Sequence, residues 1–139
     1  TNPSMYSTQK EIFSKDYRFN ISNFSKLRGV IDNVRPDYIF HLAAQPIVLE
    51  SYRNPYETYL SNTFGTINIL ESIRAVDLEK HTKFYQASSS EMFGNSKSEI
   101  QNEKTLFKPN SPYAVSKLFS YWTTIIQTWR PRRCSFLVE

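Results

Sequence analysis

Short apolar runs that end abruptly in small residues alternate with longer amphipathic runs along this chain, and that alternation leaves few folds open. Asp37-Tyr-Ile-Phe-His-Leu-Ala-Ala-Gln45 follows Pro36, stays apolar for several residues and then turns small. Lys83-Phe-Tyr-Gln-Ala-Ser-Ser-Ser-Glu91 repeats the pattern and ends in hydroxyls and one carboxylate. Ahead of the first run, Phe24, Leu27, Val30, Ile31 and Val34 recur at helical steps, and ahead of the second Phe64, Ile67, Leu70 and Ile73 do the same. Strands too apolar for a solvent face, separated by helices, are predicted to lie parallel in one sheet joined by crossover helices. The fold class is therefore α/β. Ligands of such sheets bind in the crevice beyond the carboxyl ends of the strands, where both small-residue patches fall. Ala43 and Ala44 would let a flat ligand approach the backbone, although the same pair would equally serve close helix packing.

Ser111-Pro112 opens a further helix, with a good N-cap followed by the residue best tolerated at the first helical position. Downstream, Leu118, Tyr121, Trp122, Ile125, Ile126 and Trp129 form an apolar stripe predicted to pack on something large. Tyr113 and Lys117 stand off that stripe and, four residues apart, share one face. A phenol ordinarily keeps its proton up to a pH of about 10, and a fixed positive charge beside it favours the phenolate. Lys117 can supply that charge, and the free N–H groups of the first helical turn add a smaller push. Tyr6-Ser-Thr-Gln-Lys10 has the same spacing with no apolar strand ahead of it and no amphipathic run behind it, so spacing by itself carries little weight. Ser89 and Glu91, at the end of the second strand, are predicted to face the same crevice as Tyr113. Together these groups suit proton handling and hydride transfer.

Four stretches carry a family resemblance: Phe40-His-Leu-Ala-Ala-Gln45, Asn62-Thr-Phe-Gly-Thr-Ile-Asn-Ile-Leu-Glu71, Phe84-Tyr-Gln-Ala-Ser-Ser-Ser-Glu-Met-Phe-Gly94 and Ser111-Pro-Tyr-Ala-Val-Ser-Lys117. Over residues 20–127 the chain resembles the extended short-chain dehydrogenases/reductases that act on nucleotide sugars, most of all the GDP-mannose 4,6-dehydratase branch. Thr1-Asn-Pro-Ser4 and Ser51-Tyr-Arg-Asn-Pro-Tyr-Glu-Thr58 are more similar to CDP-glucose 4,6-dehydratases, and Glu57 stands where the GDP-mannose branch offers its cofactor a Tyr. UDP-sugar epimerases of this type generally lack a carboxylate at the place of Glu91, so the resemblance favours a dehydratase.

The resemblance implies a partial Rossmann-like, doubly wound parallel sheet over residues 1–129, lacking the first strands and the substrate domain, with a divergent basic tail at 130–139. It implies Ser89, Glu91, Tyr113 and Lys117 as catalytic residues. Tyr113 would take the proton of a sugar 4-hydroxyl, Ser89 would hold that oxygen, and Glu91 would abstract the C5 proton and assist loss of water. The implied cofactor is NADP or NAD, met by Asn20, Ile21, Leu42, Ala43, Ala44, Gln45, Pro46 and Lys117, with Asn20-Ile21 in place of the usual Asp-Leu near the adenine. The implied substrate is a nucleotide-diphosphate sugar. Helices around residues 60–75 and 112–129 would form the interface of a homo-oligomer.

A dinucleotide pyrophosphate needs a glycine-rich turn feeding a helix, yet Gly29, Gly65 and Gly94 are the only glycines and none falls in such a turn. The chain is therefore expected to be an internal fragment of a longer enzyme and inactive alone, or else a non-catalytic remnant. Its net charge of +4 owes three units to Arg130, Arg132 and Arg133, and no basic stripe interleaves with stacking aromatics, so no nucleic-acid partner is expected. A single cysteine, Cys134, excludes an intrachain disulfide, and no signal peptide or long apolar span is seen, which points to the cytoplasm and away from membranes. His41 reads more readily as a satisfied interior residue than as a ligand, and His81 as surface. No metal is expected, because no His/Cys/Asp cluster has coordinating spacing. The polar stretch Asn95 to Asn110 is predicted to be a loop.

Overall fold

The computed structural model describes residues 14–95, 100–128 and 136–138. Thr1 to Ser4, the Tyr6/Lys10 pair, Trp129, Cys134 and the three arginines of the tail lie outside them.

Helix α1, Phe24–Val34, begins where Asn23 accepts a hydrogen bond from the Lys26 N–H at 3.1 Å. It ends at Arg35, whose φ of 46° is left-handed. Strand β1, Tyr38–His41, leads into two short helices, α2 (Val48–Arg53) and α3 (Pro55–Tyr59). A π-helical turn, Leu60–Phe64, runs straight into α4, Gly65–Ala75. Strand β2, Lys83–Gln86, is followed by a 3-10 turn at Ser90–Phe93, by helix α5 at Pro112–Thr128 and by strand β3 at Phe136–Val138. The Ser111 hydroxyl accepts from the Ala114 N–H at 3.0 Å, capping α5 where its sequence predicts.

All three strands are parallel, in the order β1-β2-β3, with Tyr38 opposite Lys83 and Phe84 opposite Phe136. The fold is thus a partial Rossmann-like α/β sheet. Phe136–Val138, within the stretch read as a divergent tail, supplies its third strand.

Ile31 of α1, Ile69, Leu70 and Ile73 of α4, Leu78 and Phe84 form the core, with Ile21, Leu27, Ile39 and Val76 packed around them. Each such side chain contributes roughly 1.5–3 kcal/mol on burial, so stability concentrates where α1 and α4 meet one face of the sheet. The opposite face differs from expectation: Tyr38 and Phe40 are 58% and 65% exposed, and Phe40 rests on Tyr85 with ring centroids 5.6 Å apart. The strand order explains this. Successive right-handed crossovers that advance in one direction place their helices on one side, and among the described residues nothing covers the other.

Helix α5 also departs from its hydropathy pattern. Its buried face carries Tyr113, Ala114, Ser116, Lys117, Ser120 and Thr124, while Val115, Phe119, Trp122 and Ile126 are exposed. The buried hydroxyls are satisfied locally: Ser116 Oγ donates to the Tyr113 carbonyl at 2.7 Å, Ser120 Oγ to that of Ser116 at 3.1 Å, and Thr124 Oγ1 to that of Ser120 at 2.8 Å. A hydroxyl bonded within its own helix costs little to bury, and its small size lets α4 come close. Tyr121 and Trp122 meet Phe107, which stacks on Phe93, so part of the stripe packs on the loop before α5.

Candidate active site

Beyond the end of β1, Leu42 and Ala43 are exposed, Ala44 and Gln45 are half-buried and Pro46 is exposed. Gln45 turns its polar groups inward. Its N–H donates to Asn62 Oδ1 at 2.8 Å, its carbonyl accepts from Asn62 Nδ2 at 3.2 Å, and its side-chain amide engages Ile47 and Thr58. Gln45 therefore shapes the turn, and the exposed neighbours Leu42 and Ala43 form its open wall.

At the end of β2 the chain passes through Ala87 and Ser88 to Ser89, whose hydroxyl accepts from the Glu91 N–H at 3.3 Å. Glu91 itself is exposed. Ser88 Oγ is buried with no hydrogen-bond partner among the described residues. Lys117 reaches this strand end from α5: only 7% exposed, it donates from Nζ to the Ala87 carbonyl at 2.6 Å. Tyr113, 9% exposed, stands one helical turn earlier on the same face. Helix α5 packs against both β2 and the 3-10 turn, which brings the Tyr113/Lys117 face to the Ser88–Glu91 segment. A cavity of about 750 Å³ opens beside this segment, lined by Ser88, Ser89 and Ser90, by Phe93 and Phe107 and by Trp122.

Burial lowers the Lys117 pKa from its ordinary value. His41, 4% exposed at the end of β1, is lowered to about 4 by burial first and by the Lys117 charge second. It is an interior residue, neutral at pH 7. His81 is half-exposed and lies 3.1 Å from Asp37.

Asn20 and Ile21 sit apart from these groups, ahead of α1. Asn20 Oδ1 accepts from the Ser22 N–H at 2.9 Å, and the Ile21 carbonyl accepts from Asn68 Nδ2 at 3.1 Å. The Ile21 side chain points into the core. Asn62, 2% exposed and joined to both Gln45 and Ser116, was not singled out in the sequence. Its signal in the sequence is its place at the head of the family-like stretch Asn62–Glu71. Among the described residues no group of three or more His, Cys, Asp or Glu could hold a metal ion, and no described helix is long and apolar enough to cross a membrane.

Parallel strands, one-sided crossover helices and a Tyr/Lys face at the strand ends define a Rossmann-type domain of the kind found in nucleotide-sugar epimerases and dehydratases. Solved structures agree on the fold. UDP-Glc/GlcNAc 4-epimerase from Campylobacter jejuni superposes with a TM-score of 0.86 at 23% identity, over 96% of this chain and 40% of that one. RMD from Pseudomonas aeruginosa, complexed with NADPH, gives 0.80 at 27% identity over 91% and 42%. The family model for GDP-mannose 4,6 dehydratase matches residues 4–130, and the chain belongs to that family. It is 42% identical over 106 residues to GDP-mannose 4,6-dehydratase of Vibrio cholerae, covering 76% of this chain and 28% of that protein. The Drosophila melanogaster enzyme of the same name is 40% identical over 76% and 27%. The chain thus spans about a third or less of the length of these relatives.

Proposed function

We propose that this chain is the catalytic segment of a nucleotide-sugar 4,6-dehydratase, acting on GDP-mannose to give GDP-4-keto-6-deoxymannose. The observation that carries the reading is the Tyr113/Lys117 face of α5, fastened through Lys117 to the strand end that leads into Ser89 and Glu91. Family membership supports the choice of substrate.

A nicotinamide dinucleotide fits one end of the site. The exposed Leu42 and Ala43, the unpartnered Ser88 hydroxyl and the Lys117 ammonium offer an open wall, a free polar group and a donor where the nicotinamide end would lie. Asn20, Ile21, Ala44, Gln45 and Pro46 complete the proposed contacts, with Gln45 acting through the shape of its turn. The pyrophosphate end has no glycine-rich turn in this sequence. The reading is therefore that the chain alone binds the cofactor poorly and is inactive. NADP is the first choice and NAD the second; RMD was solved with NADPH and the Brucella ovis epimerase with NAD.

A bound nicotinamide would supply the hydride acceptor for oxidation at C4 of the sugar and the hydride donor for reduction at C6. Tyr113, with Lys117 one helical turn away on the same face, removes the proton of the 4-hydroxyl. Ser89 holds that oxygen by a hydrogen bond, and the resulting 4-keto group acidifies the C5 proton. Glu91 takes that proton as general base and its carboxyl then assists departure of the 6-hydroxyl as water. The exposed apolar stripe Val115, Phe119, Trp122 and Ile126 is assigned to a homo-oligomer interface, and the enzyme to the cytoplasm.

The test is product analysis with the full-length enzyme. GDP-mannose should be converted to a 4-keto sugar lighter by one water, whereas a C4 epimer would move the assignment to an epimerase. Tight NADPH binding by the isolated chain, measured by fluorescence titration, would overturn its inactivity.

A further inference from the structure

Gln86 places an amide on the covered face of β2. Side chains alternate along a strand, so Gln86 shares that face with the core residue Phe84 and is only 3% exposed. A buried amide is costly unless both of its ends are bonded, and in Gln86 both are. Oε1 accepts from Thr66 Oγ1 of α4 at 3.1 Å, and Nε2 donates to the Ala87 carbonyl at 3.0 Å. The same carbonyl accepts from Lys117 Nζ at 2.6 Å, so the amide takes one of its lone pairs and the ammonium the other. The Ala87 N–H donates to the His41 carbonyl at 3.3 Å, and Thr66 Oγ1 also lies 3.1 Å from Ser120 Oγ of α5. The peptide group that receives Lys117 is thereby held by β1 on one side and by α4, through Gln86, on another. A carbonyl gripped by a second donor presents its remaining lone pair in a fixed direction.

We propose that Gln86 is a positioning residue, which aims the Ala87 carbonyl at α5 and so fixes where the Lys117 ammonium stands relative to the Tyr113 phenol. At its depth in the fold it acts through Lys117 and not on the reacting atoms. This role deepens the dehydratase reading and rests on it for the chemistry, while the anchoring of Lys117 is a property of the fold. Of the titratable groups on the packed elements, His41 at the end of β1 feels the Lys117 charge. Tyr113 stands one turn earlier on α5, and Glu91 of the 3-10 turn is exposed.

The decisive variant is Gln86→Met, which keeps the length of the side chain and removes both bonds. Thr66 Oγ1 retains the Asn62 carbonyl as an acceptor at 3.0 Å, and the Ala87 carbonyl retains Lys117, so neither partner is orphaned. The ascending limb of kcat/KM against pH reports the catalytic base of the free enzyme. In the full-length enzyme that limb should move up by about one pH unit or more, because a loosely held ammonium favours the phenolate less. Activity on the acid side of the limb should fall about tenfold with it. A purely structural role would lower activity at every pH and leave the limb in place. Reductive methylation of Lys117, read by mass spectrometry against Lys83 of the same protein, should run about threefold faster or more, the scale of one hydrogen bond lost. Thr66→Val removes only the far arm of the amide. It should move both readouts in the same direction by less, and it serves where Gln86→Met fails to fold. An unmoved limb, or a Lys117 labelling rate equal to the parent's, would overturn the proposal. If the parent makes no 4-keto sugar yet Lys117 labelling responds as described, the dehydratase reading fails and the anchoring role stands.

Discussion

The Lys117 ammonium donates a 2.6 Å hydrogen bond to the carbonyl of Ala87, thirty residues earlier in the chain. This bond joins α5 to the end of β2 at the point where the chain turns toward Ser89. It also leaves a cation in the interior, and burial alone lowers the Lys117 pKa. Lys117 is thus held where a charge is costly to the fold.

Replacing Lys117 with Met should separate that cost from its proposed part in the reaction. Thermal stability should hold or rise, because a desolvated cation is exchanged for an apolar chain of similar length. Dehydratase turnover of the full-length enzyme should fall by about 10²-fold or more, the usual scale of general acid-base assistance. Calorimetry beside a turnover assay checks both.

His41 makes the fold acid-sensitive. Its pKa is lowered to about 4 in the folded chain from an ordinary 6.5, so between these values the unfolded chain holds a proton that the folded chain does not. Stability therefore rises with pH across this window and is lost as pH falls through it, by about 3 kcal/mol for a shift of this size. Urea midpoints measured from pH 4 to 7 should show this slope, and His41→Gln should flatten it.

Gly94 and Gly65 should respond differently to alanine. Gly94 has φ +56°, and a Cβ there would lie 2.0 Å from the Lys108 carbonyl oxygen, a backbone atom. Gly94→Ala should cost roughly 1–3 kcal/mol or more and loosen the base of the Asn95–Asn110 loop. At Gly65 a Cβ would meet Ile21 Cγ2 at 3.2 Å, so that a branched side chain packed on the core has to give slightly, which offsets the gain of up to about 1 kcal/mol from a helical alanine. Gly65→Ala should fall near neutral, and paired melting curves decide the order.

Glu91→Gln tests the division of labour at the site. Oxidation at C4 should survive while loss of water stops, read as exchange at C4 without the dehydrated product. Unchanged dehydration would remove Glu91 from the reaction.

Phe119→Lys with Ile126→Lys tests the exposed stripe. Both positions are already open to solvent, so the fold should tolerate them within about 0.5 kcal/mol each. Sedimentation of the full-length enzyme should shift from oligomer to monomer.

Much of the fold was legible because its signals are local. The stripe Phe24–Val34 gave α1, the apolar runs at Tyr38 and Lys83 gave β1 and β2, and Ser111-Pro112 gave the start of α5. Helix α5 was placed correctly but its inner side was misread, because hydropathy ranks Trp122 above Ser116 whereas the space beside α4 admits only small side chains. Tyr113, Lys117 and Ser89 are singled out in the sequence by their setting at strand and helix ends, and Lys117 meets the end of β2 at Ala87. Asn62 is not marked in this way, since its importance lies in bonds to Gln45 and Ser116, seventeen and fifty-four residues away, and no periodicity encodes such partners. The π-helical turn that carries it has no sequence signature of its own.

Phe136–Val138 joins β2 through main-chain pairing beyond residue 130, where the family model stops. A ladder built from peptide groups asks little of side-chain identity at its margin. Relatives can therefore drift apart in letters at this margin while the architecture persists, and kinship there is better sought by superposing backbones than by matching residues.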